Sequence, residues 1–374
     1  MSKWPLRRLG EIITLEYGKP LPEAQRDNSG NCLVVGSNGV QGTHTQAIVK
    51  APGIVVGRKG SAGQVNMFEG AFWPIDTTYY VVPKLDINLK WLYHCLKILP
   101  LNKLATSTGV PGLNRNDVYA LSIPCPPLDE QERIVRILDE AEQLRRLRAE
   151  ADRLAKELIP AVFYEMFGSI VASKDRYSTQ RLEDICVSPA GIKAGPFGSS
   201  LKKECYTSEG PRVYGQEQII AGDFAIGDYR VSSAKYDEMG AYAVLPGDVL
   251  ISLVGTFGKV AVVPDNAEPG IINPRLVRLR VNQDHVLPLF LKHYLEMKDT
   301  QNYLQSLARG QTMGVLNATL LRGLAVPVPP LEKQRSFVSR VEIIGDFQAG
   351  QAASKLVVDK WLQSLLHRAF HGEP

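Results

Sequence analysis

Cysteine and histidine are scarce in this chain of 374 residues, and neither forms a familiar metal or redox motif. The five cysteines include no CxxC pair, and the six histidines include no HExxH. Structural zinc sites are built from clustered Cys and His ligands, so we expect no metal site in this chain. The same scarcity argues against a disulfide framework and predicts a protein of a reducing compartment.

Long apolar runs and catalytic signatures are missing as well. The N-terminus MSKWPLRRLGEI has no apolar signal core, and no run approaches the roughly 20 residues that span a bilayer. The sequence contains no N-P-P-[FY] motif of adenine methylation, no complete GxxxxGK[ST] and no acidic nuclease constellation. We therefore expect a soluble, cytoplasmic protein without a membrane partner, and these motifs give no sign that it catalyses a reaction itself.

Charge of one sign is not concentrated strongly anywhere. Residues 1–128 carry 13 Lys+Arg against 8 Asp+Glu, while residues 170–328 carry 17 against 16. A basic excess this small is compatible with nucleic-acid binding but by itself favours an ordinary solvated surface. The choice between the two depends on motifs.

What the chain does contain is an internal repeat. At a constant offset of 203, residues 104–138 and 307–341 share 11 identities in 35 positions, among them Gln131/Gln334. Earlier, IVVGRKGSAGQV (54–65) resembles VLISLVGTFGKV (249–260), and LGEI (9–12) resembles LEDI (182–185). The pattern predicts a tandem duplication whose two halves share one plan.

Each half begins with short β-branched runs separated by glycine and ends with a long helical tract. The runs predict strands, so we expect a mixed α/β fold. Prolines at 124, 126 and 127 prevent a helix from extending backwards, and Asp129 with Glu132 forms a capping-box pattern. From 129 to 167, apolar residues recur mostly every three or four positions. This spacing predicts a coiled-coil helix, whose partner we expect to be the second tract lying antiparallel.

Several segments together resemble the specificity (S) subunit of a Type I restriction–modification enzyme. They are WPLRRLGEI (4–12), GSNGVQGTH (36–44), GRKGSAGQV (57–65), FWPIDTTYYV (72–81), GPFGSSLKKECY (195–206), the two hinges IPCPPLDEQERIV and VPVPPLEKQRSFV, and LLHRAFHGE (365–373). Glu332 and Arg335 depart from the first hinge's capping pattern. The resemblance extends over nearly the whole chain and rests on the order of the segments.

The resemblance implies an architecture and a set of partners. It implies target-recognition domains at 1–128 and 169–330, separated by conserved spacer helices at 129–168 and 331–374 that form an antiparallel coiled coil. Each domain would read one half of a bipartite, asymmetric site in double-stranded DNA. Two methyltransferase subunits and restriction motor subunits would join the complex. S-adenosylmethionine, ATP and Mg would belong to those partners, and this chain would bind no cofactor.

Candidate DNA-binding residues are polar or basic side chains that could reach base edges or phosphates, many of them in loops where glycine lets the backbone approach DNA closely. In the first half they are Asn38, His44, Arg58, Lys59, Ser61, Thr77, Thr78, Thr106, Ser107 and Thr108. In the second half they are Tyr214, Gln216, Gln218, Lys259, Arg275, Arg309, Gln311 and Thr312. Tyr214, Gln216 and Gln218 alternate, which predicts that all three project from one face of a strand.

Each candidate also has a purely structural interpretation. The Asn38–Gly39 pair is typical of a type I′ turn, the loop with Arg58 could be a solvated hairpin tip, and Asn114 and Asn317 could supply turn hydrogen bonds. Two other function classes remain open. One is a nucleotide-binding enzyme that uses the loops GRKGSAG and VGTFGK, and the other is a coiled-coil scaffold that does not read DNA.

Overall fold

The computed structural model describes residues 4–27, 29–50, 52–105, 111–169, 176–188, 190–197, 200–253, 258–309 and 317–371. The chain has a mixed α/β fold and divides into two compact units, Met1–Ala149 with Ala353–Pro374, and Glu150–Ala352. Both divisions fall inside long helices. Each unit therefore contains part of each long helix.

The first half of the chain forms nine strands and four helices within the described residues. They are β1 (Leu6–Arg8), α1 (Leu9–Ile12), β2 (Ile13–Tyr17), β3 (Cys32–Gly36), β4 (Gly39–His44), β5 (Gly53–Gly57), β6 (Val65–Phe68), β7 (Phe72–Pro74), β8 (Thr78–Pro83), α2 (Leu89–Ile98), α3 (Arg115–Ala120), β9 (Ser122–Pro124) and α4 (Leu128–Phe167). The strands form three sheets with the orders β2-β8-β5-β6, β4-β3-β7 and β1-β9.

The second half repeats the strand plan and has six helices within the described residues. Its elements are β10 (Thr179–Arg181), β11 (Ile192–Ala194), β12 (Tyr206–Tyr214), α5 (Gln216–Ala221), β13 (Arg230–Val231), α6 (Ser233–Glu238), β14 (Val249–Ser252), β15 (Val260–Val262), β16 (Gly270–Ile272), β17 (Leu276–Leu279), α7 (Pro288–Glu296), α8 (Lys298–Arg309), α9 (Ala318–Arg322), β18 (Ala325–Pro327) and α10 (Leu331–His371). The sheet orders are β11-β17-β14-β15, β13-β12-β16 and β10-β18.

The internal repeat is confirmed at the level of single hydrogen bonds. The strand orders correspond, and in both three-stranded sheets the central strand has one antiparallel and one parallel neighbour. Arg58 N donates to Thr77 O at 2.8 Å, and Leu253 N donates to Arg275 O at 2.9 Å. Gly63 N donates to Gly57 O at 2.8 Å, and Gly258 N donates to Ser252 O at 2.9 Å. These pairs establish which positions of the two halves are equivalent.

Each half has its own apolar core beside its four-stranded sheet. In the first half, Ile54 and Val56 of the sheet share a buried cluster with Trp91 of α2 and Ile134 of α4. In the second, Ile251 belongs to a cluster with an aromatic group made of Phe163, Phe167, Phe290 and Phe337. The start of each long helix is thus buried in the core of its own half.

A buried glutamine joins each hinge to the residue before an earlier helix, α2 in the first half and α7 in the second. Gln131 Nε2 donates to Pro126 O at 2.8 Å, and its Oε1 accepts from Asn88 N, the residue before α2, at 2.8 Å. Gln334 repeats this with Pro329 O at 2.8 Å and Leu287 N at 2.9 Å. The capping-box prediction is wrong, because α4 begins at Leu128 and places Asp129 within its first turn.

The two long helices are antiparallel within each unit. In the first unit, Arg145 lies 4.0 Å from Asp359 and Arg148 donates to Ser354 at 3.5 Å. In the second unit, Gln348 donates to Ala155 O at 2.7 Å, and Arg340 lies 3.8 Å from Glu165. Residue numbers fall along α10 as they rise along α4. The predicted apolar seam is only partly covered, since Leu144, Leu154 and Leu158 are 40%, 49% and 40% exposed.

In the described part of the chain, no helix combines the length and the apolar character needed to cross a bilayer. The same residues contain no group of three or more His, Cys, Asp or Glu side chains that could hold a metal ion.

Candidate nucleic-acid interface

Two segments of the first unit are hydrogen-bonded to the β5–β6 loop. Arg58 N and Lys59 N both donate to Thr77 O, at 2.8 and 3.1 Å. Leu113 N donates to Arg58 O at 2.8 Å, and Gly60 N donates to Pro111 O at 3.0 Å. The loop, the turn before β8 and the segment before α3 therefore form one continuous edge. We refer to this edge as the first-unit surface.

The first-unit surface brings together most of the predicted residues that lie in the described part of this half. Lys59 and Ser61 are exposed on the loop. Asn38 is exposed in the neighbouring β3–β4 turn, where Gln41 Nε2 donates to its Oδ1 at 2.8 Å. No described residue other than glycine has a positive φ, so this turn is not type I′, which needs positive φ at both central residues.

Sequence reasoning missed two residues of the first-unit surface. Arg58 Cζ lies 5.1 Å from the centre of the Tyr17 ring, and Arg115 Cζ lies 5.0 Å from the same centre. Tyr17 ends β2 and is 45% exposed, while Arg115 opens α3. Both lie far from Arg58 in sequence, and no pattern in the sequence alone indicates that the three side chains meet. A comparison of the two halves of the sequence could have drawn attention to both residues, because the equivalent positions of the second half carry different residues.

Two threonines and a histidine lie in less open positions. Thr78 is fully buried and donates to Ile75 O at 2.7 Å, so the prediction that it lines an exposed surface is wrong. The Oγ1 atom of Thr77 is shielded from solvent and has no hydrogen-bond partner among the described residues. His44 lies at the far end of β4 from Asn38, where its Nδ1 accepts from Asp27 N at 3.3 Å and its ring contacts Trp73.

In the second unit, the prediction that three alternating residues share a strand face is wrong. Tyr214 ends β12 fully buried, with its hydroxyl donating to Glu268 O at 2.6 Å. Gly215 follows the strand and α5 begins directly after it, so Gln216 and Gln218 are helical. Gln218 is buried, accepting from Gly215 N and donating to Ile226 O, both at 2.8 Å. The residues QEQIIA suit a helix, and the glycine before them lets the strand end and the helix begin.

A polar cavity of about 340 Å³ nevertheless brings Gln216 and Arg275 together. Its wall includes the rings of Tyr206 and Tyr229, whose centroids are 4.8 Å apart, and the side chain of Lys203. Arg275 is exposed, at the position equivalent to Thr77. We call this cavity and its rim the second-unit surface.

Other basic residues of the second unit have different settings. Lys259 is exposed on the β14–β15 connection. Arg278 is buried and donates to Ala190 O at 3.0 Å, and burial lowers the pKa of its guanidinium. Arg280 pairs with Asp248 at 2.7 Å. The last two therefore stabilise the fold and are not open to a ligand.

The segments before the hinges lie partly outside the described residues. Thr106, Ser107 and Thr108, and Gln311 and Thr312, are outside them, and so is the side chain of Arg309, the last residue of α8. The structural interpretation of the two asparagines is confirmed. Asn114 Oδ1 accepts from Asn116 N at 3.0 Å, and Asn317 Oδ1 accepts from Leu320 N at 2.9 Å, which caps α3 and α9.

The first glycine loop is not built to bind a nucleotide phosphate. A phosphate-binding loop directs free backbone amides at its ligand and leads into a helix. Here the amides of Gly57, Gly60 and Gly63 donate to carbonyl groups of the chain itself. The loop also joins two strands, β5 and β6. This geometry disfavours the nucleotide-binding alternative.

Comparison with known proteins identifies the family. The model of the type I restriction modification DNA specificity domain matches twice, at residues 1–153 and 198–351. The chain belongs to this family. Its two matches include both candidate surfaces, and membership supports a non-catalytic DNA-recognition subunit over the enzyme and scaffold alternatives.

Relatives in the type I restriction–modification DNA specificity family cover most of the chain. The EcoBI specificity subunit of Escherichia coli is 23% identical over 76% of this chain and 66% of its own length. A protein of Haemophilus influenzae, provisionally assigned as a type I specificity subunit, is 25% identical over 90% of this chain and 85% of its own length. The crystal structure of an S subunit from M. genitalium shares the fold with a TM-score of 0.60 at 17% identity, covering 99% of this chain and 96% of that one.

Proposed function

We propose that this chain is the DNA specificity subunit of a type I restriction–modification complex in which each unit reads one half of a bipartite, asymmetric site. The observation that supports this most is the pair of units with one topology and different side chains at equivalent surface positions. Thr77 in one unit corresponds to Arg275 in the other. A shared scaffold with different contact residues suits the recognition of two different half-sites on one duplex.

In this proposal, residues 1–128 and 169–330 are recognition domains, and 129–168 and 331–374 are spacer helices that determine the number of unread base pairs. The candidates carried forward on the first-unit surface are Asn38, Arg58, Lys59, Ser61 and Thr77. Those on the second-unit surface and beside it are Gln216, Lys259 and Arg275. The exposed loops supply donors for base edges, and the cations bind phosphates.

The proposed partners are two methyltransferase subunits and restriction motor subunits, which would supply S-adenosylmethionine, ATP and Mg²⁺. Exposed apolar side chains on the helices support docking of other chains, since Leu147, Leu356 and Trp361 are 60%, 66% and 53% exposed. In the first unit, an apolar cavity of about 470 Å³ lies between Leu144 and Trp361. Such surfaces are typical of protein interfaces.

The test is single-molecule methylation sequencing of DNA from cells that express this chain with its methyltransferase subunits. We expect one bipartite motif with a fixed gap. Gel shifts of the same complex compare the motif with a scrambled duplex, and equal binding to both would favour the scaffold alternative. Saturable ATP binding by the isolated chain would favour the enzyme alternative.

A further inference from the structure

The Tyr17 ring contacts two guanidinium groups. Arg58 Cζ and Arg115 Cζ lie 5.1 and 5.0 Å from its centre. Among the residues that the structure describes, no carboxylate lies within 4 Å of either guanidinium, and the buried Nε of Arg58 has no hydrogen-bond partner. We call Tyr17, Arg58 and Arg115 the arginine cluster.

This arrangement differs from that of other arginines held firmly in the chain. Arg212 binds Glu268 at 2.7 Å, and Arg280 binds Asp248 at the same distance. Two neighbouring like charges repel each other, and this repulsion is relieved when an anion or a strong acceptor binds between or beside them. Contact with an aromatic ring uses the face of a guanidinium group and not the N–H groups that make bidentate contacts, so such a ring can orient a guanidinium for binding.

At the three equivalent positions of the second unit, the residues of the arginine cluster are replaced. Tyr17 pairs with Tyr79 as Ala194 pairs with Val277, so Ala194 occupies the position of Tyr17. Leu253 occupies the position of Arg58, as the matching hydrogen bonds show.

Ala318 occupies the position of Arg115, because each follows its helix-capping asparagine. All three replacements are apolar. The cluster is therefore a property of the first unit and not of the shared scaffold.

We infer that the arginine cluster binds a pair of adjacent acceptor atoms on the DNA half-site of the first unit, and that the second unit reads its half-site without such a contact. This inference rests on the proposed function. Two features of DNA present side-by-side acceptors that fit a guanidinium fork: the O6/N7 edge of guanine and two oxygens of one phosphate. Both have the same chemistry, and the experiment separates them.

The experiment uses the full chain assembled with its methyltransferase subunits and a duplex that carries the methylated motif. Affinities are measured for R58A, R115Q and Y17L, and we expect each to weaken binding by about 10- to 100-fold. Y17F keeps the ring and is expected to bind within about 3-fold of the unmodified complex.

The matched control is K84A. It removes one positive charge from another cation–aromatic pair of the same unit, where Lys84 Nζ lies 6.0 Å from the centre of the Tyr119 ring. This variant is expected to bind within about 3-fold of the unmodified complex.

Two measurements on R58K, its affinity and its methylation motif, show whether the acceptor atoms belong to a guanine edge or to a phosphate. With a guanine edge, R58K fails to restore affinity, and methylation sequencing of R58K shows one relaxed position in the first half-site only. With a phosphate, R58K recovers most of the affinity and the motif stays unchanged, because a lysine still supplies the charge.

Outcomes for the inference and for the proposed function differ. If the unmodified complex recognises a defined motif but R58A and R115Q bind it like K84A, the inference is wrong and the function stands. A change confined to the second half-site also overturns the inference. If the unmodified complex shows no sequence preference, the proposed function itself fails. Arg115 lies at the exposed start of a short helix, so R115Q remains informative even if R58A does not fold.

Discussion

At the scale of single residues, two buried glutamines hold the hinges to their domains. Replacing Gln334 by Leu removes the acceptor for Leu287 N and the donor for the carbonyls of Pro329 and His285. A buried polar group without a partner costs about 1–3 kcal/mol, so we expect Q334L to lower the free energy of unfolding by about 3 kcal/mol or more. Urea denaturation measures this.

Replacing Gln131 by Leu should cost less, about 2–4 kcal/mol, because Gln131 has two such hydrogen bonds and not three. The control is Q143L on the same helix, where the glutamine is exposed and the change should stay within about 0.5 kcal/mol. If Q131L and Q334L unfolded like Q143L, the glutamines would not secure the hinges.

His293 makes the stability of the second unit sensitive to acid. Its side chain is buried beside Phe337, with Glu296 at 3.2 Å and Lys292 nearby, and burial lowers the pKa of its imidazole. The unfolded chain therefore takes up this proton at a higher pH than the folded chain does. The stabilisation is present above pH about 6.5 and is lost as the pH falls through the folded value.

We expect H293Q to lose less of its free energy of unfolding between pH 7 and pH 5 than the unmodified chain loses. Urea denaturation at both pH values provides the comparison. The exposed His285 supplies the control, and H285Q should retain the pH dependence of the unmodified chain. Identical pH dependence in H293Q and the unmodified chain would contradict the assignment.

Residue roles were the part of the molecule that the sequence revealed least. Gln131 and Gln334 stood out as identical positions of the repeat, yet their hydrogen bonds depend on segments more than 40 positions away. The arginine cluster likewise joins residues from β2, the β5–β6 loop and α3. Tyr214 and Gln218 were misplaced because alternation over five residues does not distinguish a strand from a strand that ends at a glycine.

At the scale of an element, the β5–β6 loop depends on two glycines to different degrees. Gly60 has a φ of +74°, and a Cβ there would meet nothing closer than Ser37 Oγ at 3.6 Å. Gly63 has a φ of +82°, and its Cβ would come within 2.4 Å of Asn102 N. We expect G60A to lower the free energy of unfolding by about 1–2 kcal/mol from backbone strain alone, and G63A to lower it further.

Thermal or urea unfolding ranks these variants. Gly70 is the control, because a Cβ there meets nothing within 4 Å and its φ is not in the left-handed region. G70A should therefore change stability least. The order G70A, G60A, G63A is the expected one, and a G63A variant as stable as G70A would show that the loop is not fixed against Asn102.

The long helices provide a second prediction at this scale, which rests on the proposed function. Four residues inserted near Ala151 extend α4 by roughly 6 Å. We expect methylation sequencing to show a longer gap between unchanged half-sites. A four-residue insertion after Gly70, which lies outside the helices, should leave the gap unchanged. Altered half-sites in the first variant would contradict the assignment of the helices as a spacer.

Elements were predictable where the sequence pattern is periodic or repeated. The first long helix was expected over 129–167 and lies at Leu128–Phe167. The repeat predicted one plan for both halves, which the strand orders confirm. The pairing of particular strands could not be read from the sequence, because short buried runs such as CLVVG and GIVVG carry no information about their neighbours.

At the scale of the whole molecule, the charge of the chain limits how well it can hold DNA alone. The formal net charge is only +4, because 39 Asp and Glu side chains offset most of the 43 Lys and Arg side chains, in places as direct ion pairs such as Arg153 with Glu150 and Arg181 with Asp184. Affinity for a duplex falls with salt in proportion to the phosphates that a protein neutralises. A small net positive charge therefore predicts weak binding of the isolated chain to a duplex, with a shallow dependence of that binding on salt.

We expect the isolated chain to bind the methylated motif weakly at about 150 mM salt, and the complex with methyltransferase subunits to bind it at least 100-fold more tightly. Fluorescence anisotropy between 50 and 200 mM salt measures both, with a scrambled duplex as the reference. The assembled complex should show the steeper salt dependence, because the partner subunits contribute most of the phosphate contacts. Tight, salt-resistant binding by the isolated chain would contradict this expectation, because a net charge of +4 provides little electrostatic attraction to the phosphates.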